Sequence, residues 1–473
     1  MVLLKAIYHS KTFPKARFYL FYRSFQKTAS KINEYTKFSL SQANGVNVIS
    51  RDLGGSGTSL SIIIRSGSRY EPIPGLAHLL QRFAFKNTER RSSLRIVRET
   101  ELLGGNVFSD ISREYLTLSA QFLREDLAYF VELLAENNVL MLMAAVYELD
   151  ETVLPYALAE NRKRYFTPTM FGFDALHELA FRRGLGRPLL TNERNYATVE
   201  MVKNYAEKSY VKNNIVVLAT NANQSELVDL VKEYFDILSP GNAALSPKSV
   251  YYGGENRIPF KSPIGHFLIS FPRPAGFVPL SDEYFLLSYL LGMGSRIKWS
   301  YENSPFGNIE KSFSNGTTLL SNNFEYSDMG LFCIHVYGPV NTLEKAVKSF
   351  VGTLRSIVKV INDEDIRKAI SQAKYSLLDL DTKRIKVHQD MGFYYLSSGS
   401  LLDYESIISR IEKITVTKMK SAISKMIEAK PSVVTIGDTT LLPYYDELLK
   451  PNELSLTTIF HDFNAIDITG NHE

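Results

Sequence analysis

The sequence predicts an α/β (α+β) fold made of two homologous mixed-sheet domains joined by a linker. The chain has 473 residues, which is long enough for more than one domain, and its composition is ordinary for a folded protein. One succession of helix, strand and turn occurs twice, and a stretch rich in proline and glycine separates the two copies. Together these observations favour a duplicated domain.

The repeated succession consists of an amphipathic helix, an apolar strand and a polar turn, at residues 198–221 and again at residues 415–438. The second copy keeps a constant offset from the first, with Thr415 in the place of Thr198. At the same offset one alternating strand maps onto another, with Leu116, Leu118 and Ala120 matched by Cys333, His335 and Tyr337. An offset shared by separate elements indicates an internal duplication.

Each of these two strands leads into a predicted helix, over residues 126–134 in the first copy and residues 343–358 in the second. The apolar residues of the second helix form one stripe, at Leu343, Val347, Phe350, Val351, Leu354 and Ile357. Asn341 and Glu344 have the spacing of a capping box, which predicts the start of this helix. Both copies therefore alternate strands with packed helices.

Local composition sets the predicted domain boundaries. Residues 239–264 include Ser239-Pro-Gly-Asn242 and Gly253-Gly254, and they show no sustained helical or strand period before about Gly265. We therefore predict a linker at residues 239–264. The N-terminal domain is predicted at residues 38–238 and the C-terminal domain at residues 265–473.

Residues 1–37 form a basic leader. Seven Lys and Arg residues precede the first acidic residue, Glu34, which is typical of a mitochondrial transit peptide; a disordered basic tail is the alternative. Removing those seven from the 54 basic residues leaves 47 against 50 acidic ones, so the body is not a polyanion binder. The single cysteine, Cys333, excludes an intrachain disulfide, and no apolar run approaches the roughly 18 residues of a membrane-spanning helix.

The segment His78-Leu-Leu-Gln81-Arg82 has the form of an inverted zinc-peptidase motif, H-x-x-E-H, with two of its three functional residues replaced. Gln81 stands where the glutamate general base is required, and a carboxamide cannot take a proton from water near neutral pH. Arg82 stands where the second metal ligand is required, and a guanidinium has no lone pair to give and repels a cation. One histidine does not hold a catalytic zinc ion.

Together with the duplication, this motif resembles the mitochondrial processing peptidase (pitrilysin-like) family of zinc peptidases. The resemblance is stronger to the branch of that family formed by the core subunits of the mitochondrial cytochrome bc complex, respiratory complex III. It extends from about residue 40 to 450 and is carried by Gly67-Ser-Arg-Tyr-Glu71, Gly75–Lys86, Arg95–Arg98, Leu102–Gly105, Arg113–Thr117, Phe181–Pro188, Leu290–Ser295 and Ile297–Ser300.

The resemblance implies two domains of the processing-peptidase type around a cavity, and an inactive metallopeptidase homologue without cofactors of its own. It further implies a structural role in ubiquinol-cytochrome c reductase, required for assembly and support in mitochondrial electron transport. The implied partners are the homologous core subunit 1, cytochrome b, cytochrome c1 and other complex III subunits, with no nucleic acid. The implied location is peripheral, on the matrix side of the mitochondrial inner membrane.

Two enzyme-related interpretations remain as alternatives. The chain could be the substrate-recognising, non-catalytic subunit of a mitochondrial processing peptidase, although residues 296–306 lack the glycine-rich loop of that subunit. It could also be an independent zinc protease, with Glu148 as a distant second ligand beside His78. Gly292-Met-Gly-Ser295 is better explained as a turn than as a phosphate loop. We predict no catalytic, cofactor-binding or metal-binding residues.

Overall fold

The computed structural model describes residues 37–139, 146–193, 197–274, 282–293, 303–313, 316–379 and 383–448. The predicted transit peptide lies outside these residues except for Lys37. Most of the segment 296–306, the end of Gly292-Met-Gly-Ser295 and residues 449–473 of the predicted C-terminal domain also lie outside them.

The first sheet has six strands in the order β1-β2-β6-β3-β5-β4, and only the pair β2 and β6 is parallel. An Asn44–Gly45 turn with positive φ at both residues joins β1 and β2 into a tight hairpin. The strands are β1 Ser39–Ala43, β2 Val46–Arg51, β3 Gly57–Ile64, β4 Asn106–Ile111, β5 Leu116–Leu123 and β6 Ile215–Thr220.

The second sheet has five strands in the order β7-β11-β8-β10-β9, and again one pair, β7 and β11, is parallel. The strands are β7 Gly254–Pro259, β8 Ile264–Arg273, β9 Thr318–Phe324, β10 Gly330–Pro339 and β11 Ser432–Gly437. The order β7-β11-β8-β10-β9 repeats the order β2-β6-β3-β5-β4 of the first sheet. The predicted class, with two mixed sheets surrounded by helices, is therefore confirmed.

Eight described helices precede β7. They are α1 Leu76–Phe83, α2 Ser93–Leu102, α3 Leu127–Val139, α4 Val146–Glu148, α5 Leu154–Tyr165, α6 Pro168–Phe181, α7 Val199–Ser209 and α8 Gln224–Tyr234. A π-helical turn, Leu149–Val153, joins α4 to α5. No described helix is both long enough and apolar enough to cross a membrane.

Eight further helices follow in the described part of the second half. They are α9 Asp282–Leu291, α10 Pro305–Ser312, α11 Val340–Val360, α12 Asp363–Asp379, α13 Arg384–Ser398, α14 Tyr404–Ile411, α15 Val416–Glu428 and α16 Tyr445–Leu448.

The repeated helix and strand occupy equivalent places in the two sheets, as α7 with β6 and as α15 with β11. The two helices also begin with the same cap. The Thr198 hydroxyl accepts a hydrogen bond from the Met201 amide, and the Thr415 hydroxyl accepts one from the Lys418 amide, each at 3.4 Å. The offset found in the sequence therefore relates matching caps as well as matching strands.

Two local predictions are wrong. The strand β7 lies inside the segment that was expected to contain no strand before Gly265. The sequence did not indicate it because β7 is an edge strand and has no alternating apolar pattern. The capping box at Asn341 does not form, because α11 begins at Val340, directly after Pro339, so that Asn341 already lies inside the helix. Proline presets the backbone angle that precedes the helix without a side-chain acceptor.

Two equivalent helices are exchanged between the halves. α6, from the first half, packs on β7, β8 and β11, whereas α13, from the second half, packs on β3 and β6. Each helix approaches the opposite sheet through a glycine. A Cβ atom on Gly172 would lie 2.9 Å from Leu268 Cδ1, and one on Gly392 would lie 2.3 Å from Ile63 Cδ1. The exchange leaves both central sheets with both faces buried.

Candidate functional site

The incomplete motif lies on α1, whose start is fixed by a buried carboxylate. Glu71 accepts hydrogen bonds from the amides of Gly75, at 3.0 Å, and Ala77, at 2.9 Å, which are free donors at the helix N-terminus. Burial raises the pKa of Glu71 to about 8, and the two amide donors act in the opposite direction. Leu76, Leu79 and Leu80 have the spacing of an apolar helix stripe, and all three are fully buried.

Both ring nitrogens of His78 are engaged within the chain. The Thr191 amide donates to Nδ1 at 3.1 Å, so the ring proton must be on Nε2, which donates to Glu160 Oε2 at 3.0 Å. The side chain is fully buried, and this burial lowers the pKa of His78 and keeps the ring neutral. The nitrogen that faces Glu160 therefore carries a proton and has no lone pair for a metal ion.

Gln81 and Arg82 are also tied to neighbouring elements. The Gln81 amide nitrogen donates to the carbonyl oxygen of Ser109 on β4 at 3.0 Å and to the Ser109 hydroxyl at 3.2 Å. Arg82 donates from its guanidinium to Glu160 Oε1. Gln81 thus anchors α1 to the edge of the first sheet, and Arg82 shares one carboxylate with His78.

Glu160, on α5, is therefore the centre of this cluster. Burial raises its pKa, but the hydrogen bonds and charges of His78 and Arg82 outweigh that effect and hold the pKa below its usual value. The ionised Glu160 lies between the N–H of a neutral imidazole and a guanidinium, so Arg82 balances its charge. A protein cation thus stands beside this carboxylate.

Glu148 does not contact His78. Its Oε1 atom accepts hydrogen bonds from the Asn87 side chain at 3.0 Å and the Asn87 backbone amide at 3.4 Å. The suggestion of Glu148 as the partner of His78 is thus wrong, and the partner is Glu160, which sequence reasoning missed. Glu148 precedes α5 and Glu160 lies on it. No local pattern in the sequence shows which of the two reaches α1.

Comparisons with protein families agree with this geometry. Residues 47–193 match the insulinase family, peptidase family M16, and residues 196–373 match the peptidase M16 inactive domain. The chain belongs to peptidase family M16. The predicted resemblance is thereby confirmed at the level of the family.

Sequence identities to three relatives show which members of family M16 the chain is similar to. It is 32% identical to cytochrome b-c1 complex subunit 2 of Schizosaccharomyces pombe, over 86% of this chain and 94% of the relative. It is 35% identical to the Neurospora crassa protein of the same name, over 85% and 89%. Identity to the mitochondrial-processing peptidase subunit alpha of Solanum tuberosum is lower, 26% over 85% and 82%.

Two of the segments that carry the family resemblance contribute Arg69 and Glu114 to a buried hydrogen-bond network between the two halves. Arg69 donates to Glu114 Oε1 at 2.8 Å and to Asp328 Oδ1 at 2.7 Å, and Ser327 donates from its amide to Glu114 Oε2 at 2.9 Å. Arg69 and Glu114 are almost fully buried. This network joins the loop after β3, the loop before β5 and the turn between β9 and β10.

The exchanged helices are attached through buried histidines. His388, on α13, bonds to the hydroxyls of Ser61, at 2.9 Å, and Thr220, at 2.8 Å, on the first sheet. His177, on α6, bonds to the Tyr326 hydroxyl at 2.8 Å next to the second sheet. Burial lowers the pKa of both histidines, so neither ring is charged at neutral pH.

A cavity of about 480 Å³ lies between α13 and the second sheet. Its walls are largely apolar and include Phe285 and Phe393, while Lys386 and Asp390 form an ion pair at 2.7 Å along one wall. His78 and Glu160 do not line it. Within the described residues, no group of three or more His, Cys, Asp or Glu side chains could hold a metal ion.

Proposed function

We propose that the chain is a non-catalytic core subunit of the cytochrome b-c1 complex, complex III, and acts through assembly and structural support. The observation that carries this proposal is Glu160, bonded to both His78 and Arg82. It means that His78 and Arg82, at two of the motif positions, hold α1 and α5 together. The similarity to relatives named as subunit 2 of that complex supports the same role.

The chemistry of the motif positions supports the absence of catalysis. Hydrolysis by a zinc peptidase needs a metal-bound water and a carboxylate to take its proton. Gln81 has no such basicity, and its amide nitrogen is committed to Ser109. Arg82 supplies a positive charge at the position of a ligand. We therefore propose no catalytic, metal-binding or cofactor-binding residue in this chain.

The proposed partners are the homologous core subunit 1, cytochrome b, cytochrome c1 and further subunits of complex III. The proposed location is the matrix side of the mitochondrial inner membrane, in peripheral association through the complex. The basic composition of residues 1–37 supports a transit peptide, and the domain limits 38–238 and 265–473 remain our proposal.

Native electrophoresis of gently solubilised mitochondrial membranes tests the role. We expect this chain to migrate with cytochrome b and cytochrome c1, and we expect its deletion to remove the assembled complex. A strain carrying Glu160→Gln tests whether the complex requires a charged carboxylate beside His78 and Arg82. We expect this strain to assemble the complex, because the proposed role needs no catalysis. Normal assembly of the complex without the chain would contradict the proposal.

The match to a processing-peptidase alpha subunit favours one second candidate. In that role the chain would present mitochondrial presequences to a partner that has an intact zinc site. Depletion would then stop presequence cleavage before the cytochrome bc complex is affected. The chain would also be found in a small soluble heterodimer rather than in the membrane complex.

A further inference from the structure

The N-terminus of α13 lies over the start of β3, because the helix runs along this strand. His388 bonds to the Ser61 hydroxyl at 2.9 Å, and one turn earlier Arg384 donates to the Gly57 carbonyl at 2.8 Å. One helical turn advances about 5.4 Å, and two strand residues advance about 6.8 Å. The first turn of α13 therefore lies beside Ser59, whose side chain is on the same face of the sheet as that of Ser61.

The Ser59 side chain is buried, yet its hydroxyl has no hydrogen-bond partner among the described residues. The residue is only 1% exposed. Its neighbours on the same face are both used, since the hydroxyls of Ser61 and Thr220 bond to His388. Ser59 instead lines a cleft of about 510 Å³ between β3, β5 and α13. A buried hydroxyl costs free energy unless a ligand or water bonds to it, so this one points to an occupant of the cleft.

The helix end at this cleft supplies free backbone donors. α13 begins at Arg384, the preceding Lys383 makes no side-chain cap, and the first turn contains no acidic residue. The amides of Arg384, Ile385 and Lys386 have no acceptor within the helix, and the helix dipole gives this end a partial positive charge. The N-terminus of α15 differs, because the Thr415 hydroxyl already accepts a hydrogen bond there.

The charged side chains around the cleft are basic. Lys383, Arg384 and Lys386 line it, and no acidic residue is among its described lining residues. Two carboxylates balance part of this charge from outside the cleft, with Asp379 at 3.7 Å from Lys383 and Asp390 at 2.7 Å from Lys386. Three cations and two carboxylates leave a net positive charge, to which the helix end adds. The cleft therefore favours an anion with several acceptor oxygens.

We propose that this cleft between Ser59 and the first turn of α13 binds a phosphate group. A phosphate is an anion with several strong acceptor oxygens, which match the free amides, the Ser59 hydroxyl and the lysine ammonium groups. The Gln121 side chain, which is opposite Ser59 on β5, lines the same cleft and provides a further donor. Inorganic phosphate and the phosphomonoester head group of phosphatidic acid both supply this chemistry.

Isothermal titration calorimetry of the full chain with inorganic phosphate, at an ionic strength balanced with chloride, tests the proposal. We expect saturable binding at a single site. Ser59→Ala removes the free hydroxyl and Lys386→Gln removes an exposed cation, and each should weaken binding about tenfold. Asp390→Asn releases Lys386 from its ion pair and should tighten binding.

Vesicles distinguish the two sources of the phosphate group. Displacement of bound phosphate by phosphatidylcholine vesicles that contain phosphatidic acid, but not by pure phosphatidylcholine vesicles, would support the cleft as a site for a lipid head group. Phosphate that stays bound with both kinds of vesicle would support it as a site for a soluble phosphate.

Lys418→Gln is the control, because Lys418 has the same place in the first turn of α15 as Lys386 has in α13, and its amide is bonded to Thr415. This variant should bind phosphate as the parent chain does. Absence of saturable binding to the parent chain would overturn the proposal. Equal weakening by Lys418→Gln and Lys386→Gln would also overturn it, because it would show a general effect of surface charge.

Discussion

Two equivalent helices, α1 after β3 and α9 after β8, show how the halves diverged on one scaffold. α9 buries mainly apolar residues, among them Leu286, Leu287 and Leu291. α1 buries polar His78 and Gln81, each with a specific partner on another element. The same position in the fold therefore accepts an apolar helix, so the polar residues of α1 are not a requirement of the scaffold. They hold α1 to α5 and to β4.

The largest expected effect comes from the network that joins the halves. Arg69→Ala would leave Glu114 buried without its cation, and we expect a loss of about 3–5 kcal/mol in the free energy of unfolding. Urea denaturation measures this loss. Arg162→Ala, which breaks an exposed ion pair with Glu193, is the matched control and should change stability by about 0–1 kcal/mol. Equal effects of the two variants would show that the buried network does not couple the halves.

The packing of the exchanged helices predicts that alanine substitutions at Gly392 and Gly172 change the free energy of unfolding by different amounts. Gly392→Ala places a methyl group 2.3 Å from Ile63 and should cost about 1–3 kcal/mol in unfolding free energy. Gly172→Ala has more room, at 2.9 Å from Leu268, so the gain in helix propensity should offset most of its strain.

Gly352→Ala is the control for this pair, because it lies in α11 with open space around it and should stabilise by about 0.5–1 kcal/mol. The three variants are compared by chemical denaturation. A Gly392→Ala protein as stable as Gly352→Ala would contradict the close packing of α13 on the first sheet.

Neutral buried histidines predict a loss of stability in acid. Burial lowers the pKa of His388 to about 3, so between pH 6.5 and pH 3 the unfolded chain binds a proton that the folded chain does not. Stability from this group is complete above pH 6.5 and falls as the pH falls. We expect His388→Asn to reduce the slope of unfolding free energy against pH by about one proton in that range.

Other histidines contribute to the same slope, and they are distributed over both halves. The pKa is lowered to about 4 for His266 and to about 3 for His335, and it is also lowered for His78 and His177. The free energy of unfolding of His388→Asn is therefore compared with that of the parent chain at several pH values. An unchanged slope for His388→Asn would mean that His388 is protonated in the folded protein.

The smallest expected effect is at Arg82. Its side chain and that of Glu160 are about one-third exposed, at 34% and 37%, so solvent screens their attraction. We expect Arg82→Ala to cost about 0–1 kcal/mol in thermal or chemical denaturation. A loss as large as that of Arg69→Ala would show that the motif cluster is a main support of the first half.

The features that depend on local pattern were predictable from the sequence. The duplication, the equivalent caps at Thr198 and Thr415 and the apolar stripe of α1 all follow from spacing along one element. The exchange of α6 and α13 was not predictable, because a helix pattern shows which face is buried but not which sheet covers it. Glu160 was missed for the same reason, since it lies far from His78 in the sequence and on a different helix.

The most direct test of a non-catalytic site is the zinc content of the purified full chain after equilibration with zinc. The double variant Gln81→Glu/Arg82→His, which restores the motif, serves as the comparison and is expected to hold about one zinc ion per chain. The account predicts far less than one zinc ion per parent chain, because the motif offers a single imidazole and the Arg82 guanidinium occupies the cluster. One tightly bound zinc ion per parent chain would contradict it.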